Sequence, residues 1–559
     1  MKKINDIKQT FNNPILSGFY PDPSICRAGE DYYMVTSTFG YFPGVPIFHS
    51  KDLVNWEQIG NILDRPSQLN LDHSGISGGI YAPTIRYNKG IFYMVTTNVS
   101  NGGNFIVTAE NPKDPWSEPY WIENAPGIDP SLFFDEDDKV YFTASWIAKD
   151  AKSYSDMEIW CQELDLKTMK LIGEPQGLWK GALKNAHSPE GPHIYKFNGY
   201  YYLIIAEGGT QHYHAVTIAR SKEVFGPYEG YAGNPILTHR HLGKKYPITN
   251  PGHADLVETQ NGEWWMVALA SRPYGGNYKN LGRETFLIPV EWEDGWLVVS
   301  PGTGRVEGSY EVPDLPAFKV PECVVRDDFD KNTLNLIWNG IRTPREKFYS
   351  LTERKGFLRL MLRPIGLVDS LKPPSMSMCH EDKKEHVIDN PSFLGRRQQH
   401  MNFTAAVKME FNPKHDFETA GIALVQNNNF QYRFEYSISC GRKIIRLIKC
   451  TSKTEMDYTT GSFNFENFEK KMAQAAFDSE IIYLKITANG QNYSFYYGES
   501  LVDMKLLLEN VDGRILSPDM AGGFVGTYIG MFASSNGNSS DNVADYDWFD
   551  YTETVEVKK

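Results

Sequence analysis

The sequence predicts an all-β protein with two domains, a five-bladed β-propeller followed by a jelly-roll β-sandwich. Short runs of β-branched and aromatic residues stand between Gly- and Pro-containing turns, and long stretches with helical periodicity are scarce. One strand pattern recurs five times within the first 300 residues. The chain of 559 residues is also too long for one ordinary domain, since domains average roughly 100–200 residues.

The repeated pattern is a turn followed by an aromatic pair and an apolar strand. Its copies are Gly29-Glu-Asp-Tyr-Tyr-Met-Val-Thr-Ser37, Lys89-Gly-Ile-Phe-Tyr-Met-Val-Thr-Thr97, Asp137-Asp-Lys-Val-Tyr-Phe-Thr-Ala-Ser145, Asn198-Gly-Tyr-Tyr-Tyr-Leu-Ile-Ile-Ala206 and Asn261-Gly-Glu-Trp-Trp-Met-Val-Ala-Leu269. A repeat of about 50–60 residues built from strands is typical of a four-stranded propeller blade. Five copies therefore predict five blades.

Two further strands are predicted in the repeat. A short strand with Pro or Gly at its start precedes each copy. Most blades are also expected to close with an aromatic strand, in Lys51-Asp-Leu-Val-Asn-Trp-Glu57, Pro115-Trp-Ser-Glu-Pro-Tyr120 and Gly226-Pro-Tyr-Glu229. Residues 1–305 are accordingly predicted as the propeller and the Pro-rich residues 306–322 as an irregular linker. Alternating strands without the repeat predict a sandwich over residues 323–559.

Composition and charge exclude several partners. The formal net charge is −13, whereas binding to nucleic acid needs clustered Lys and Arg. No stretch approaches the roughly 18–20 consecutive apolar residues of a membrane helix. No apolar run follows the N-terminal lysines, and six scattered cysteines are typical of buried thiols in a reducing compartment. We expect no nucleic-acid partner, no membrane association and a cytoplasmic location.

One position of the repeat carries the functional signal. Counting back 11 or 12 residues from the aromatic anchors Tyr33, Tyr93, Tyr141, Tyr202 and Trp265 gives Asp22, Ala82, Asp129, Glu190 and His253. Pseudo-rotation between blades should place these five residues in a ring at one end of the channel. Each acid alone is consistent with a turn or loop residue, and the histidine with a core residue. Three carboxylates in one confined ring repel, which is typical of a site kept for chemistry.

Carboxylates around a pocket suit glycoside hydrolysis. One carboxyl must be protonated to donate to the leaving oxygen, and another must be ionised to attack or to activate water. A third carboxylate nearby can keep the acid protonated near neutral pH. The aromatic residues Phe39, Tyr41, Phe42 and Tyr81 are expected near the entrance, where they would stack on sugar rings.

The chain resembles glycoside hydrolase family 43, in its group of β-xylosidases and α-L-arabinofuranosidases with a C-terminal sandwich. The motifs that carry the resemblance cover nearly the whole chain and occur in the family's order. They are Gly18-Phe-Tyr-Pro-Asp-Pro-Ser-Ile25, Thr36-Ser-Thr-Phe-Gly-Tyr-Phe-Pro-Gly-Val45, Ser77-Gly-Gly-Ile-Tyr-Ala-Pro83, Glu190-Gly-Pro-His193, Ala206-Glu-Gly-Gly209, Gly252-His-Ala-Asp-Leu-Val-Glu258 and Leu281-Gly-Arg-Glu-Thr285.

The resemblance implies an inverting mechanism and a role for each acid. Asp22 resembles the general base that activates water, and Glu190 resembles the general acid. Asp129 resembles the carboxylate that orients the acid and tunes its pKa.

The resemblance also implies the sugar-binding residues. Arg283 resembles the arginine that bonds sugar hydroxyls, and Phe39 matches a wall of the same subsite. Phe524 is the candidate for a loop of the second domain that closes the pocket, which implies exo action. Tyr81 stands where members of β-xylosidase type carry Trp, so the sugar preference is left open. His253 matches a channel histidine that in some relatives lies beside a calcium ion or a water.

These observations predict an exo-glycosidase that releases terminal xylose or arabinofuranose from oligosaccharides. No cofactor is expected for the chemistry; a structural calcium ion stays open, at His253 or at the acidic segments 326–330 and 545–550. An endo-arabinanase and a non-catalytic glycan-binding propeller are the alternatives, whereas a retaining fructosidase lacks its Asn-Asp-Pro-Asn-Gly motif. The oligomeric state is also open, although relatives of this type often form homo-oligomers.

Overall fold

The computed structural model describes residues 9–148, 151, 156–183, 186–321, 324–368, 389–457 and 462–554. Within these ranges the only helices are the 3-10 turn Gly513–Leu516 and the four-residue α-helix Pro518–Ala521. Neither has the length or the apolar character to cross a membrane. The prediction of an all-β protein is confirmed.

The propeller consists of five antiparallel sheets with four strands in radial order. The strands are Ser24–Ala28, Asp31–Val35, Gly44–Ser50 and Glu57–Leu63 in blade 1; Thr84–Asn88, Ile91–Asn98, Gly103–Ala109 and Tyr120–Trp121 in blade 2; Ile128–Phe134, Val140–Ile147, Met157–Asp165 and Lys170–Trp179 in blade 3; Glu190–Phe197, Tyr200–Glu207, Ala215–Ser221 and Glu229–Gly230 in blade 4; and Thr249–Glu258, Trp264–Ser271, Glu284–Glu293 and Trp296–Val299 in blade 5. Leu237–Thr238 adds a short strand to blade 4. The first strand of each blade contacts the first strands of both neighbouring blades, which closes a ring around the axis.

The aromatic segments expected to close the blades lie mostly before the closing strands, which begin only at the last residue of each segment, at Glu57, Tyr120 and Glu229. The predicted position of the closing strands is therefore wrong. In blade 1 the segment 51–55 is a bend, because the Asp52 carboxylate accepts the backbone N–H groups of Val54 at 3.0 Å and Asn55 at 2.7 Å. Trp56 donates its indole N–H to the backbone oxygen of Leu53 at 2.7 Å. Local side-chain bonds of this kind compete with strand pairing, and the closing strand starts only at Glu57.

A short two-stranded sheet ties the end of the propeller to the start of the chain. Thr10–Asn12 pairs antiparallel with Ser309–Glu311. The second strand lies inside the segment 306–322, which the sequence predicts to be irregular. Its strand partner is some 300 residues distant in the chain, so the Pro-rich local pattern gave no sign of it. The predicted start of the sandwich, Cys323, lies outside the described residues.

The second domain packs two antiparallel sheets face to face. The larger follows the order Tyr349–Ser350, Leu358–Met361, Val543–Glu553, Asn402–Glu410, Ile481–Asn489, Asn492–Gly498 and Met504–Asp512, with Arg326–Asp327 also paired to Val543–Glu553. The smaller follows the order Ser392–Arg397, Tyr528–Ser534, Thr419–Val425, Gln431–Ser439, Arg442–Asp457 and Ser462–Ala476. Buried side chains of both sheets, such as Phe434 and Phe495, form one core. The predicted sandwich is confirmed.

The two domains share a buried interface beside the end of the propeller that holds the ring residues. Tyr41–Phe42 pairs with Gly340–Ile341 of the sandwich domain. The Tyr41 ring is fully buried and stacks on Tyr528 with ring centroids 3.8 Å apart. Tyr41 and Phe42 therefore hold the domains together, and their predicted place at a sugar-binding entrance is wrong.

Candidate active site

The candidate residues converge because of their position in the blades. Asp22, Asp129 and Glu190 lie at or just before the start of first strands, and His253 lies in the first half of the longer first strand of blade 5. In an antiparallel sheet this end also holds the connection from the second strand to the third. Those connections contribute Phe39 in blade 1, Thr210 in blade 4 and Arg283 in blade 5.

Three ring residues adopt a backbone conformation that is rare outside glycine. Asp22, Asp129 and His253 have φ values of 53°, 56° and 48°. Such left-handed geometry costs on the order of 1–3 kcal/mol and persists where the surrounding structure enforces it. Here it occurs at equivalent positions of three blades, and the side chains of Asp22 and His253 approach each other to 3.8 Å. The positions that the sequence repeat predicts to be equivalent therefore share the same unusual backbone conformation.

Asp22 is a buried carboxylate stabilised in its ionised form. Arg283 Nη1 donates to Asp22 Oδ1 at 2.8 Å, and Ser37 Oγ donates to Oδ2 at 2.6 Å. His253 Nδ1 lies 3.8 Å from Oδ1. Burial by itself raises the pKa of Asp22, but the charges of Arg283 and His253 and the bond from Ser37 outweigh it, so that the net pKa is lowered.

Glu190 has the opposite protonation preference. Burial and, second, the negative charge of Asp22 raise its pKa to about 7, against a smaller lowering effect of Arg283. Gly191 makes room for this arrangement, because a Cβ atom there would lie 3.0 Å from the His253 ring. Glu190 thus retains its proton at a pH where Asp22 is ionised.

Asp129 completes the group of acids. Its pKa is raised well above the usual value by burial, then by the charges of Glu190 and Asp22, while the backbone N–H of Gly191 bonds to it and partly opposes the rise. Asp129 and Glu190 titrate as an interacting pair. The pair therefore keeps a proton at a higher pH than an ordinary carboxyl group would. The three predicted acids therefore lie in one pocket, within electrostatic reach of one another.

An aromatic wall faces the acids. Phe39 lies 5.2 Å from Tyr81 and 5.9 Å from Phe524, measured between ring centroids, and Tyr81 lies 6.0 Å from Phe524. The Arg283 guanidinium lies 5.5 Å from the Phe39 ring and 5.8 Å from the Phe524 ring. The predicted binding residues thus come together, and one of them belongs to the sandwich domain.

The Phe524 loop is anchored on the propeller. The backbone N–H of Phe524 donates to Ser77 Oγ at 3.0 Å. A Cβ atom on Gly523 would lie only 2.3 Å from the same oxygen, so the loop needs glycine for this close approach. The second domain therefore forms part of the pocket itself.

The surroundings of His253 do not fit a calcium ion, which takes 6–8 oxygen ligands. The Asp22 oxygens already accept bonds from Arg283 and Ser37, and the nearby Asp255 oxygens accept bonds from Arg86. Among the described residues no cluster of three or more His, Cys, Asp or Glu side chains could hold a metal ion. We derive no step through a metal at this position.

The acidic segments of the sandwich are likewise committed to protein donors. Asp327 accepts the indole N–H of Trp338 at 2.8 Å. Asp545 accepts bonds from Arg354 at 3.0 Å and from Arg359 at 2.8 Å. These contacts occupy carboxylate oxygens of Asp327 and Asp545 that a calcium ion in these segments would need.

A second charged layer lies below the ring and escaped prediction. Arg86 Nη1 donates to Asp255 Oδ2 at 2.8 Å and Nη2 to Oδ1 at 3.1 Å, and Nη2 also contacts His193 Nδ1 at 2.9 Å. Ser24 Oγ donates to Asp255 at 2.6 Å, and the Tyr195 hydroxyl donates to it at 2.5 Å. Each of these residues lies two to five positions beyond the ring residue of its own strand. The sequence does contain one signal for this layer, because charged residues such as Arg86 and Asp255 stand in the otherwise apolar first strands of the blades.

Two further residues of the pocket were also missed. Ser37 bonds Asp22, and Thr210 Oγ1 lies 3.4 Å from Arg283 Nη1. Both are small polar residues in loops, and the sequence contains nothing that separates them from ordinary turn residues.

Comparison with known proteins identifies the family. The profile described as glycosyl hydrolases family 43 matches residues 11–297, and that of the beta xylosidase C-terminal Concanavalin A-like domain matches residues 326–552. The chain belongs to glycosyl hydrolase family 43. It is therefore a glycoside hydrolase, and its second domain is of the Concanavalin A-like sandwich type.

Similar family 43 proteins extend over the whole chain. A xylosidase/arabinosidase of Butyrivibrio fibrisolvens is 48% identical over 96% of this chain and 98% of its own length. A non-reducing end alpha-L-arabinofuranosidase of Bacteroides ovatus is 40% identical over 99% of this chain and 96% of its own length. The solved structure of a xylan beta-1,4-xylosidase from Bacillus halodurans has a TM-score of 0.84, with 34% identity over 97% of this chain and 100% of that one.

Proposed function

We propose that this family 43 enzyme is an inverting exo-glycosidase that releases terminal xylose or arabinofuranose from oligosaccharides. The observation that carries the proposal is the opposed protonation of two acids in one pocket. Arg283, His253 and Ser37 favour ionised Asp22, whereas burial and the charge of Asp22 favour protonated Glu190. Pairs of carboxyl groups whose pKa values are driven apart are the acid and base of glycoside hydrolysis.

The roles follow from these preferences. Glu190 donates its proton to the glycosidic oxygen as the bond to the leaving group breaks. Asp22 accepts a proton from a water molecule, whose oxygen attacks the anomeric carbon from the opposite face, and the configuration inverts. Asp129 interacts electrostatically with Glu190, and the backbone N–H of Gly191 bonds to Asp129 and holds that carboxyl group in position. The steps use only protein groups and water.

Exo action is supported by the position of Phe524. The loop of the sandwich domain reaches the propeller at Ser77, and its ring packs against Phe39 and Tyr81. A pocket walled on this side accepts a chain end rather than the middle of a polymer. An endo-arabinanase needs an open groove, which this wall opposes.

The sugar class is supported by the relatives. Those described above are named as xylosidase/arabinosidase, non-reducing end alpha-L-arabinofuranosidase and xylan beta-1,4-xylosidase. The substrate we propose is accordingly an oligosaccharide with a terminal pentose. Arg283 and the rings of Phe39 and Tyr81 offer donors and stacking faces for that sugar.

Hydrolysis of paired substrates tests the proposal. We expect the enzyme to release nitrophenol from the β-D-xyloside, the α-L-arabinofuranoside or both, and to leave internal bonds of debranched arabinan intact. A glycan-binding propeller without activity would hydrolyse neither glycoside and would keep its affinity in the Asp22→Ala and Glu190→Ala variants. Cleavage of internal arabinan bonds would instead support an endo enzyme.

A further inference from the structure

The proposed function leaves one side of the pocket without an assigned role. The walls described above come from blades 1, 2 and 5 and from the sandwich domain. The leaving group must lie beside Glu190, because a general acid donates its proton across hydrogen-bond distance. Glu190 is the first residue of blade 4, so the loops of blade 4 form part of the surface next to it.

The blade 4 rim loop, residues 208–214, occupies this side. It continues the strand Tyr200–Glu207, in which Ala206 is the direct partner of Glu190. Its first residue, Gly208, donates its backbone N–H to the oxygen of His187 at 2.9 Å, three residues before Glu190. At Thr210 the loop reaches Arg283, with Oγ1 and Nη1 3.4 Å apart. The rim loop therefore runs from the neighbourhood of Glu190 to that of Arg283.

The conformation of the rim loop is tightly fixed. Gly208 and Gly209 have φ values of 87° and 64°. A Cβ atom on Gly208 would lie 2.3 Å from the backbone oxygen of Tyr213, and one on Gly209 would lie 2.8 Å from the His187 ring. The loop thus folds back on itself at the backbone of Tyr213 and packs against the His187 ring.

Tyr213 has an unusually open ring. At 65% exposure it is the most exposed large hydrophobic aromatic residue in the described part of the chain. A tyrosine combines a rigid apolar face with a polar tip and loses little conformational entropy on binding, which suits contact with a sugar. A ring so exposed contributes little to packing, since most of its area stays in water.

We propose that Tyr213, on the rim loop that packs against His187, forms the binding site for the leaving-group sugar, and so determines preference among oligosaccharides. The ring of Tyr213 stacks on the pentose unit that accepts the proton of Glu190. This inference rests on the proposed function, because a leaving-group sugar exists only if the enzyme cleaves a glycosidic bond between sugars.

A pair of substrates with and without a leaving sugar tests the proposal. Xylobiose carries a leaving xylose, whereas β-xylosyl fluoride carries none; the corresponding arabinofuranosyl pair is used if the nitrophenyl assay selects that sugar. We expect Tyr213→Ala to raise KM for the disaccharide roughly tenfold, the scale of one aromatic contact, and to leave hydrolysis of the fluoride unchanged. Tyr213→Trp should restore the wild-type KM.

Tyr120→Ala is the matched control, since Tyr120 is 45% exposed on the outermost strand of blade 2. The proposal is overturned if Tyr213→Ala and Tyr120→Ala behave alike on the disaccharide, or if Tyr213→Ala impairs disaccharide and fluoride equally. A wild-type enzyme that hydrolyses neither substrate pair would overturn the proposed function, and this inference with it.

Discussion

The Arg283 guanidinium bonds the Asp22 carboxylate at 2.8 Å, although blade 5 supplies one residue and the start of blade 1 the other. The contact lies at the closure of the propeller, where the last blade meets the first. Arg283 also lies within 6 Å of the Phe39 and Phe524 rings. One side chain thus keeps the proposed base ionised and joins it to the sugar-binding wall.

Loss of Arg283 should shift the acid limb of the activity profile. Asp22 must be ionised to act as base, so activity falls as the pH drops through its pKa, which the structure holds below the usual value. In Arg283→Gln the largest lowering influence is gone, and we expect this limb of kcat/KM to move to higher pH. The control is Arg345→Gln, which removes an exposed ion pair with Asp72. An unchanged acid limb in Arg283→Gln would contradict the account.

Glu190 and Asp22 should respond differently to the leaving group. Glu190→Gln removes the proton donor, so we expect kcat on an alkyl or sugar leaving group to fall by about 10²–10⁴-fold, and much less on dinitrophenol, which departs without a proton. Asp22→Asn should slow both substrates alike. Because Glu190 must be protonated and its pKa is about 7, wild-type kcat/KM should decline as pH rises through about 7. Steady-state kinetics with both leaving groups decide the assignment.

Phe524 should matter for catalysis although it belongs to the sandwich. Phe524→Ala removes the partly buried ring that packs on Phe39 and Tyr81, and we expect kcat/KM to fall by about one to two orders of magnitude, which corresponds to about 1–3 kcal/mol. Met520→Ala alters an exposed side chain nearby in the chain and should leave kcat/KM unchanged. Equal activities of the two variants would show that the second domain does not form the pocket.

The ion pair of Arg86 and Asp255 should stabilise the propeller. Asp255 is completely buried and accepts both guanidinium bonds. Removal of one partner leaves an uncompensated buried charge, and we expect Asp255→Asn to lower the free energy of unfolding by about 3–5 kcal/mol. Glu118→Gln, which breaks the exposed pair with Arg65, should cost less than about 1 kcal/mol. Urea unfolding of both variants tests this, and equal midpoints would contradict it.

The repeated strand pattern predicted the propeller because each blade carries its own local signal. The register of the repeat also brought Asp22, Asp129 and Glu190 together, since pseudo-symmetry converts a position in the sequence into a place around the axis. Resemblance to the family added Arg283 and Phe524, which no periodicity would reveal. These predictions concern placement, and the roles of the residues await the variants above.

What the sequence did not predict depends on contacts between distant segments. The strand Ser309–Glu311 exists because Thr10–Asn12 lies beside it. The sequence around Tyr41 suggests a sugar-stacking residue, but the Tyr528 ring of the sandwich domain covers it. The bonds of Ser37 and Thr210 in the pocket depend equally on partners supplied by the fold. Such partners are absent from any local pattern, and three-dimensional structure is needed to see them.

The stereochemistry of the first product tests most directly whether ionised Asp22 activates water opposite protonated Glu190. Hydrolysis of a β-xyloside, or of an α-L-arabinofuranoside if that is the preferred substrate, is followed by proton NMR before the released sugar mutarotates. The account predicts that the first anomer has the configuration opposite to that of the substrate. First release of the anomer with the substrate's own configuration would show a covalent glycosyl intermediate and would contradict the role of Asp22 as base.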